Sequence, residues 1–317
     1  MTRLVTKLSP GLGPLILDGA GGTELEARGF PDTEGIWSAR ALRDAPELVL
    51  AIHRDYIAAG AQIITAQTFS VRHRRFRKAG MEEQTGWFAR RGIELARQAR
   101  AGSGRPDVLV AGSFATLEIY SRTKDAPRGE EAFVEHEAMA RIFAEAGADL
   151  LLFEAFSTIE EAYQAVRAGK TAGLDVVMGF VCGPNGALLS GEPIGDAVRA
   201  IDPLGPAAYA INCTPVTLAT RAAADLARAT TTPFGVYANV GDWRPPAAIA
   251  AQAGVTEGVT GQPGFFAKTF GEENTFDVTP DVYLQHATTW RQLGASFVGG
   301  CCGTRPAHIA ALAAGLS

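Results

Sequence analysis

Short apolar runs alternate with longer stretches of three- and four-residue apolar spacing from one end of the chain to the other. The runs at 15–18, 62–68, 108–114, 149–154, 175–181, 208–212, 234–239 and 296–299 are too short for helices. They are apolar on both alternating faces, which predicts eight buried strands of a parallel sheet. Between them, 46–59, 85–99, 130–146, 159–168 and 280–293 carry apolar residues on one helical face. Three of these stretches are followed by Gly60, Gly147 and Gly294, each suited to the left-handed position that stops a helix. Eight strands, each with a connection long enough for a helix, predict a single-domain (β/α)8 TIM barrel over residues 1–317. A doubly wound open sheet is the alternative. The segments 182–193 and 256–280 break the periodicity and read as loops, the second as a lid or interface.

Composition narrows the partners. The 317 residues are 47% hydrophobic and 20% charged, with formal net charge −5, an ordinary globular balance. Negative net charge argues against nucleic acid or an anionic membrane, and no run of about 20 apolar residues could span a bilayer. Four cysteines are too few for a disulfide framework, and the first ten residues lack an apolar signal segment. The expectation is a cytoplasmic protein acting on small molecules, with the oligomeric state left open. The basic residues at 72–78 read as a solvated helix start, with an anionic ligand tail or a partner surface as the other reading.

The cysteines change the picture most. Cys301 and Cys302 are adjacent in Gly299-Gly300-Cys301-Cys302-Gly303-Thr304, at the turn between the eighth strand and a helical segment. Cys213 follows the sixth strand, so a barrel brings all three to its C-terminal mouth, where barrel enzymes keep their chemistry. Three thiolates can hold Zn²⁺ and leave one tetrahedral position open, the pattern of a catalytic zinc. A redox-active Cys301–Cys302 pair and plain buried cysteines are the competing readings. Cys182, after the fifth strand, reads as a bystander. Other polar residues fall at the same level. Asp18 ends the first strand, Glu154 the fourth and Asn239 the seventh, and the two carboxylates suit a substrate ammonium group. Gly19 to Gly22 lack both phosphate-loop spacings, so close backbone approach to a small ligand is the better reading. None of the five histidines falls at a strand end, and His53 and His286 read as surface or helix-packing residues. A sulfur-rich zinc without histidine ligands or a placed base suits a thiol substrate better than hydrolysis.

Several segments together resemble the homocysteine S-methyltransferases. They are Leu17-Asp18-Gly19-Ala20 through Thr23, Trp37-Ser38-Ala39, Ala59-Gly60-Ala61, Thr65 to Phe69, Phe153-Glu154, Asn212-Cys213, Asn239 with Gly241, and the terminal double-cysteine run through Arg305-Pro306. The resemblance implies a zinc barrel that methylates the thiol of homocysteine to give methionine. It implies Cys213, Cys301 and Cys302 as zinc ligands, and Asp18 and Glu154 as partners of the substrate amino group. Gly19, Thr23 and Asn239 are further substrate-binding candidates, and the nucleophile is the substrate thiolate rather than a side chain. Ala66-Gln67-Thr68 and Asn239-Val240-Gly241-Asp242 depart from the common Thr-Asn-Thr and Asn-Ser-Gly-Glu patterns, which bears on the donor. Without the oligomerisation segment of betaine users or the cobalamin modules of methylfolate users, the expected donor is S-methylmethionine or S-adenosylmethionine. A related thiol or selenol is the alternative acceptor.

Overall fold

The computed structural model describes residues 2–8, 12–30, 35–118, 125–240 and 278–316. Eight parallel strands run β1 (Leu15–Ile16), β2 (Ile63–Thr65), β3 (Leu109–Ala115), β4 (Leu150–Phe156), β5 (Asp175–Phe180), β6 (Ala208–Pro215), β7 (Phe234–Asn239) and β8 (Phe297–Gly300). Their order is β1-β8-β7-β6-β5-β4-β3-β2. The seam between β1 and β2 is closed by the parallel bridge Leu17↔Ile63, with Asp18 N donating to Ile63 O at 3.0 Å and Gln62 N to Ile16 O at 2.7 Å. The sheet is therefore a closed barrel. One main helix follows each strand: Pro46–Ala58, Thr85–Ala101, Gly129–Ala146, Ile159–Thr171, Ile194–Ile201, Val216–Ala229, Pro280–Gln292 and Pro306–Leu316. Among the described residues, no helix is long and apolar enough to cross a membrane.

The double-sided apolar runs explain this arrangement. Leu15, Leu17, Ile63, Leu109, Leu150, Leu152, Val177, Ala208, Ala210 and Phe297 point inward and share one cluster. Their neighbours Ile16, Ile64, Val110, Leu151, Val176, Ile211 and Val298 point outward into the larger cluster beneath the helices. Period-two alternation makes both faces apolar, as a sheet covered on both sides requires. The expected helix stops are present, with Gly60, Gly147 and Gly294 at φ 107°, 89° and 99°.

Two strands run past their expected ends. β4 does not stop at Glu154, nor β6 at Asn212, because Ala155 and Cys213 adopt φ 60° and 50° and each inserts a bulge. Pairing then resumes at Phe156↔Phe180 and Pro215↔Asn239. The loop at 182–193 is tied down rather than loose: Cys182 bridges Leu188, Leu189 N bonds Val181 O, and Ser190 N bonds Ser157 O. The expected lid at 256–280 lies outside the described residues except for its last three, and so does the Gly241-Asp242 departure.

Candidate metal centre

The β6 bulge turns Cys213 toward the turn that follows β8, where Cys301 and Cys302 sit. The three sulfurs all lie within 4.8 Å of one another, and Cys213 Sγ is 3.9 Å from Cys302 Sγ. Tetrahedral zinc with Zn–S bonds of about 2.3 Å needs sulfurs about 3.8 Å apart. The donor set therefore fits a soft divalent metal, with one face open to the pocket.

The turn carrying the adjacent cysteines is held at almost every residue. Cys301 N bonds Ala238 O at 2.9 Å, Cys302 N bonds Asn239 Oδ1 at 3.1 Å, and Gly303 N bonds Thr23 Oγ1 at 3.0 Å. Thr304 Oγ1 donates to Cys301 O and accepts from Ala20 N, and Tyr56 caps Ala20 O at 2.9 Å. Arg305 then pairs at 2.9 Å with Glu24, which is 1% exposed. Gly303, at φ 79°, supplies the left-handed step that the turn needs.

Opposite the sulfurs lies an acidic wall. Glu154, at the β4 bulge, accepts from Ser113 Oγ. Burial first, and then the nearby Cys301, push its carboxyl well above the usual carboxylate range. Asp18 accepts from Thr65 N at 2.7 Å and Thr65 Oγ1 at 2.8 Å, and burial pushes its pKa up to about 7. The two bulges are stitched together by Asn212, whose Oδ1 accepts from Ala155 N at 3.0 Å. One pocket is lined by Glu154, Ser113, Gly19, Thr23, Cys213, Cys301 and Cys302. Asp18 and Asn239 stand one step behind that lining, each bonded to a residue that forms it. The glycines after β1 make room for the chain's own side chains: a Cβ on Gly21 would lie 2.1 Å from Gln67 Oε1, and one on Gly19 would lie 2.8 Å from Tyr56 Oη.

The remaining residues separate from the site. Cys182 is fully buried on the outward face, its N–H bonded to Thr214 Oγ1, and burial pushes its thiol up. His53 is buried inside its helix face rather than on the surface. The basic run is not simply solvated. Arg74 pairs with Glu118, Glu131 and Glu135, Lys78 with Glu118, and Arg77 with Glu82, while Arg72 is 7% exposed. Trp37, Phe69 and Tyr237, to which the sequence patterns assign no role, also line the pocket, as does Gln67 of the Ala66-Gln67-Thr68 departure; Asn212 is likewise unassigned in the sequence. Trp37 and Phe69 meet edge to face with centroids 6.0 Å apart. A signal for Ser113, Asn212 and Tyr237 was available: each occupies an inward register of an otherwise apolar strand.

Comparison with known proteins places the chain in a family. A family model described as homocysteine S-methyltransferase matches residues 15–316. The chain is 32% identical to the homocysteine S-methyltransferase of Escherichia coli, over 95% of this chain and 94% of that protein. It is 29% identical to homocysteine S-methyltransferase YbgG of Bacillus subtilis, over 95% and 93%. A selenocysteine methyltransferase from Astragalus bisulcatus is 27% identical over 93% and 90%. The solved structure of the metallated form of the homocysteine methyltransferase MmuM from Escherichia coli superposes with TM-score 0.79 at 27% identity, covering 98% of this chain and 99% of that one. The chain is a methyltransferase and belongs to the homocysteine S-methyltransferase family.

Proposed function

We propose that the protein transfers a methyl group from a small onium donor to the thiol of homocysteine, giving methionine, with zinc on Cys213, Cys301 and Cys302. The observation that carries this reading is one pocket with three clustered sulfurs, a buried carboxyl at Glu154 and the aromatic pair Trp37–Phe69. Zinc at that site would keep the acceptor sulfur deprotonated near neutral pH, where a free thiol of pKa about 8.5 is mostly protonated.

The chain's own residues do the rest by positioning. Glu154 receives the acceptor's ammonium, and that cation reverses the burial-driven rise in its pKa and leaves it ionised. Asp18, fixed by Thr65, adds negative potential behind the wall. Trp37 and Phe69 offer the negative faces of their rings to a methyl-bearing cation, which favours S-methylmethionine or S-adenosylmethionine over a neutral donor. The acceptor sulfur forms its new bond to the methyl carbon as the donor's sulfur–carbon bond breaks. The donor leaves as a neutral thioether, so no side chain moves a proton in that step. Free thiols require a reducing compartment such as the cytoplasm. The likeness to a selenocysteine methyltransferase supports a selenol as second acceptor.

The test is methionine formation by reduced, zinc-loaded protein given homocysteine with S-methylmethionine, S-adenosylmethionine, betaine or methyltetrahydrofolate. Turnover with a sulfonium donor is expected. Cys301→Ala should lose the metal and more than 10³-fold of the rate. One bound zinc per chain with no methionine from any donor would sink the acceptor assignment.

A further inference from the structure

The pocket carries a polar group that no described residue uses. Tyr237 rises from the inner face of β7 and lines the same pocket as Glu154, Cys213 and Cys301. It is 1% exposed, and its hydroxyl has no hydrogen-bond partner among the described residues. A buried hydroxyl without a partner is costly, and such a group persists where a ligand completes it. Its position depends on β5. Gly179 has no side chain there, and a Cβ would lie 2.9 Å from Tyr237 Oη and 2.8 Å from Asn212 Oδ1. The ring thus reaches across the barrel interior to the level of the β4 and β6 bulges.

The surroundings select the ligand's charge. Burial holds the hydroxyl protonated far above its ordinary pKa, and the neighbours that reinforce this are Glu154, Cys301, Cys213 and Asp18, each of which is negative when ionised and none of which can carry positive charge. A carboxylate placed here would meet Glu154, whereas a cation would be drawn in. Asp18 has both oxygens engaged by Thr65 and does not line the pocket. Glu154 gives one oxygen to Ser113, which leaves the other free for a ligand. An ammonium group has three N–H donors, more than Glu154 alone can satisfy.

We propose that Tyr237 is a substrate-binding residue whose Oη accepts a hydrogen bond from the ammonium group of the thiol acceptor, beside Glu154. This rests on the proposed acceptor being an amino acid thiol.

Tyr237→Phe removes only an oxygen that bonds none of the described residues, so its melting temperature without ligand should equal that of the wild type. Three acceptors separate the possibilities: homocysteine, 3-sulfanylpropylamine, which lacks the carboxylate, and 4-sulfanylbutanoate, which lacks the amino group. In the variant, kcat/KM should fall about tenfold for the two amines, the size expected for one hydrogen bond to a charged group, and stay within twofold for the butanoate. The rise in melting temperature that each thiol gives the zinc-loaded protein should follow the same pattern. That arm reads binding without a donor, so a failure of methyl transfer and a failure of this contact are separate results. Equal losses with all three acceptors, a loss confined to the carboxylates, or no loss would each overturn the assignment.

Discussion

The lower and upper halves of the barrel interior handle polarity in opposite ways. Below, Leu15, Ile63, Leu109, Leu150, Val177, Ala208 and Phe297 fill the centre with hydrocarbon, and the strands pair in unbroken register. Above, on the inward face of the barrel strands, stand Thr65, Ser113, Glu154, Asn212 and Asn239, with Asp18 just past the end of β1 bonded to Thr65 and the three sulfurs beyond. The upper layer also holds two left-handed non-glycine residues, Ala155 and Cys213, and three groups without a partner among the described residues, Asn212 Nδ2, Tyr237 Oη and Asn239 Nδ2. Within the described barrel interior, left-handed non-glycine backbone and unmet hydrogen bonds thus gather at the mouth, the proposed substrate end, above a base of hydrocarbon and paired strands.

That division predicts mutations that separate stability from activity. Leu152→Ala, one layer below Glu154 and 2% exposed, should cost about 3 kcal/mol of unfolding free energy and leave homocysteine KM unchanged. Urea titration beside steady-state kinetics reads both. A KM rise comparable to the stability loss would mean that the lower layer is part of the site. Gly179→Ala touches both layers. Its Cβ would lie 2.8 Å from the Phe153 carbonyl oxygen and 2.8 Å from Asn212 Oδ1, so the backbone just before Glu154 or the link between the two bulges must shift. Roughly 2 kcal/mol of destabilisation is expected, together with a KM for homocysteine raised at least tenfold. Unchanged kinetics would show that the bulges hold without Asn212.

The two layers were unequally legible in the sequence. The lower one follows from alternation alone, since Leu150 and Leu152 inward with Leu151 and Phe153 outward is what an apolar run in a covered sheet must do. The upper one was legible where chemistry is rare: adjacent cysteines, or a carboxylate closing an apolar run. It was not legible where geometry breaks the rule. Nothing in alanine or cysteine announces positive φ, so the apolar runs point to strand ends at Glu154 and Asn212 and give no sign of the bulge that aims Cys213 at Cys302. Cys182 shows the converse. Its neighbour Val181 joins the Ala155 and Cys213 side, so Cys182 itself faces outward into the helical layer, a distinction of one residue in register.

His53 sharpens the comparison from outside the barrel. It is 3% exposed in the Pro46–Ala58 helix, and neither ring nitrogen has a partner among the described residues, so it shares the isolation of Tyr237 without lining the pocket. Burial lowers its pKa to about 4, against an ordinary value of 6.5. The unfolded chain therefore binds the proton more readily. The folded state keeps its full margin above pH 6.5 and loses it as pH falls toward 4, by about 1 kcal/mol between pH 6.5 and 5.5. His53→Leu should remove that part of the acid slope, change stability at pH 7 by less than about 1 kcal/mol, and leave KM for both substrates alone. Chemical denaturation at pH 7 and 5.5 is the measurement. A variant whose acid slope stays as steep as the wild type's would mean that His53 finds a partner in solution. A raised KM would mean that an unpartnered buried group marks function wherever it lies, and the division between base and mouth would no longer hold.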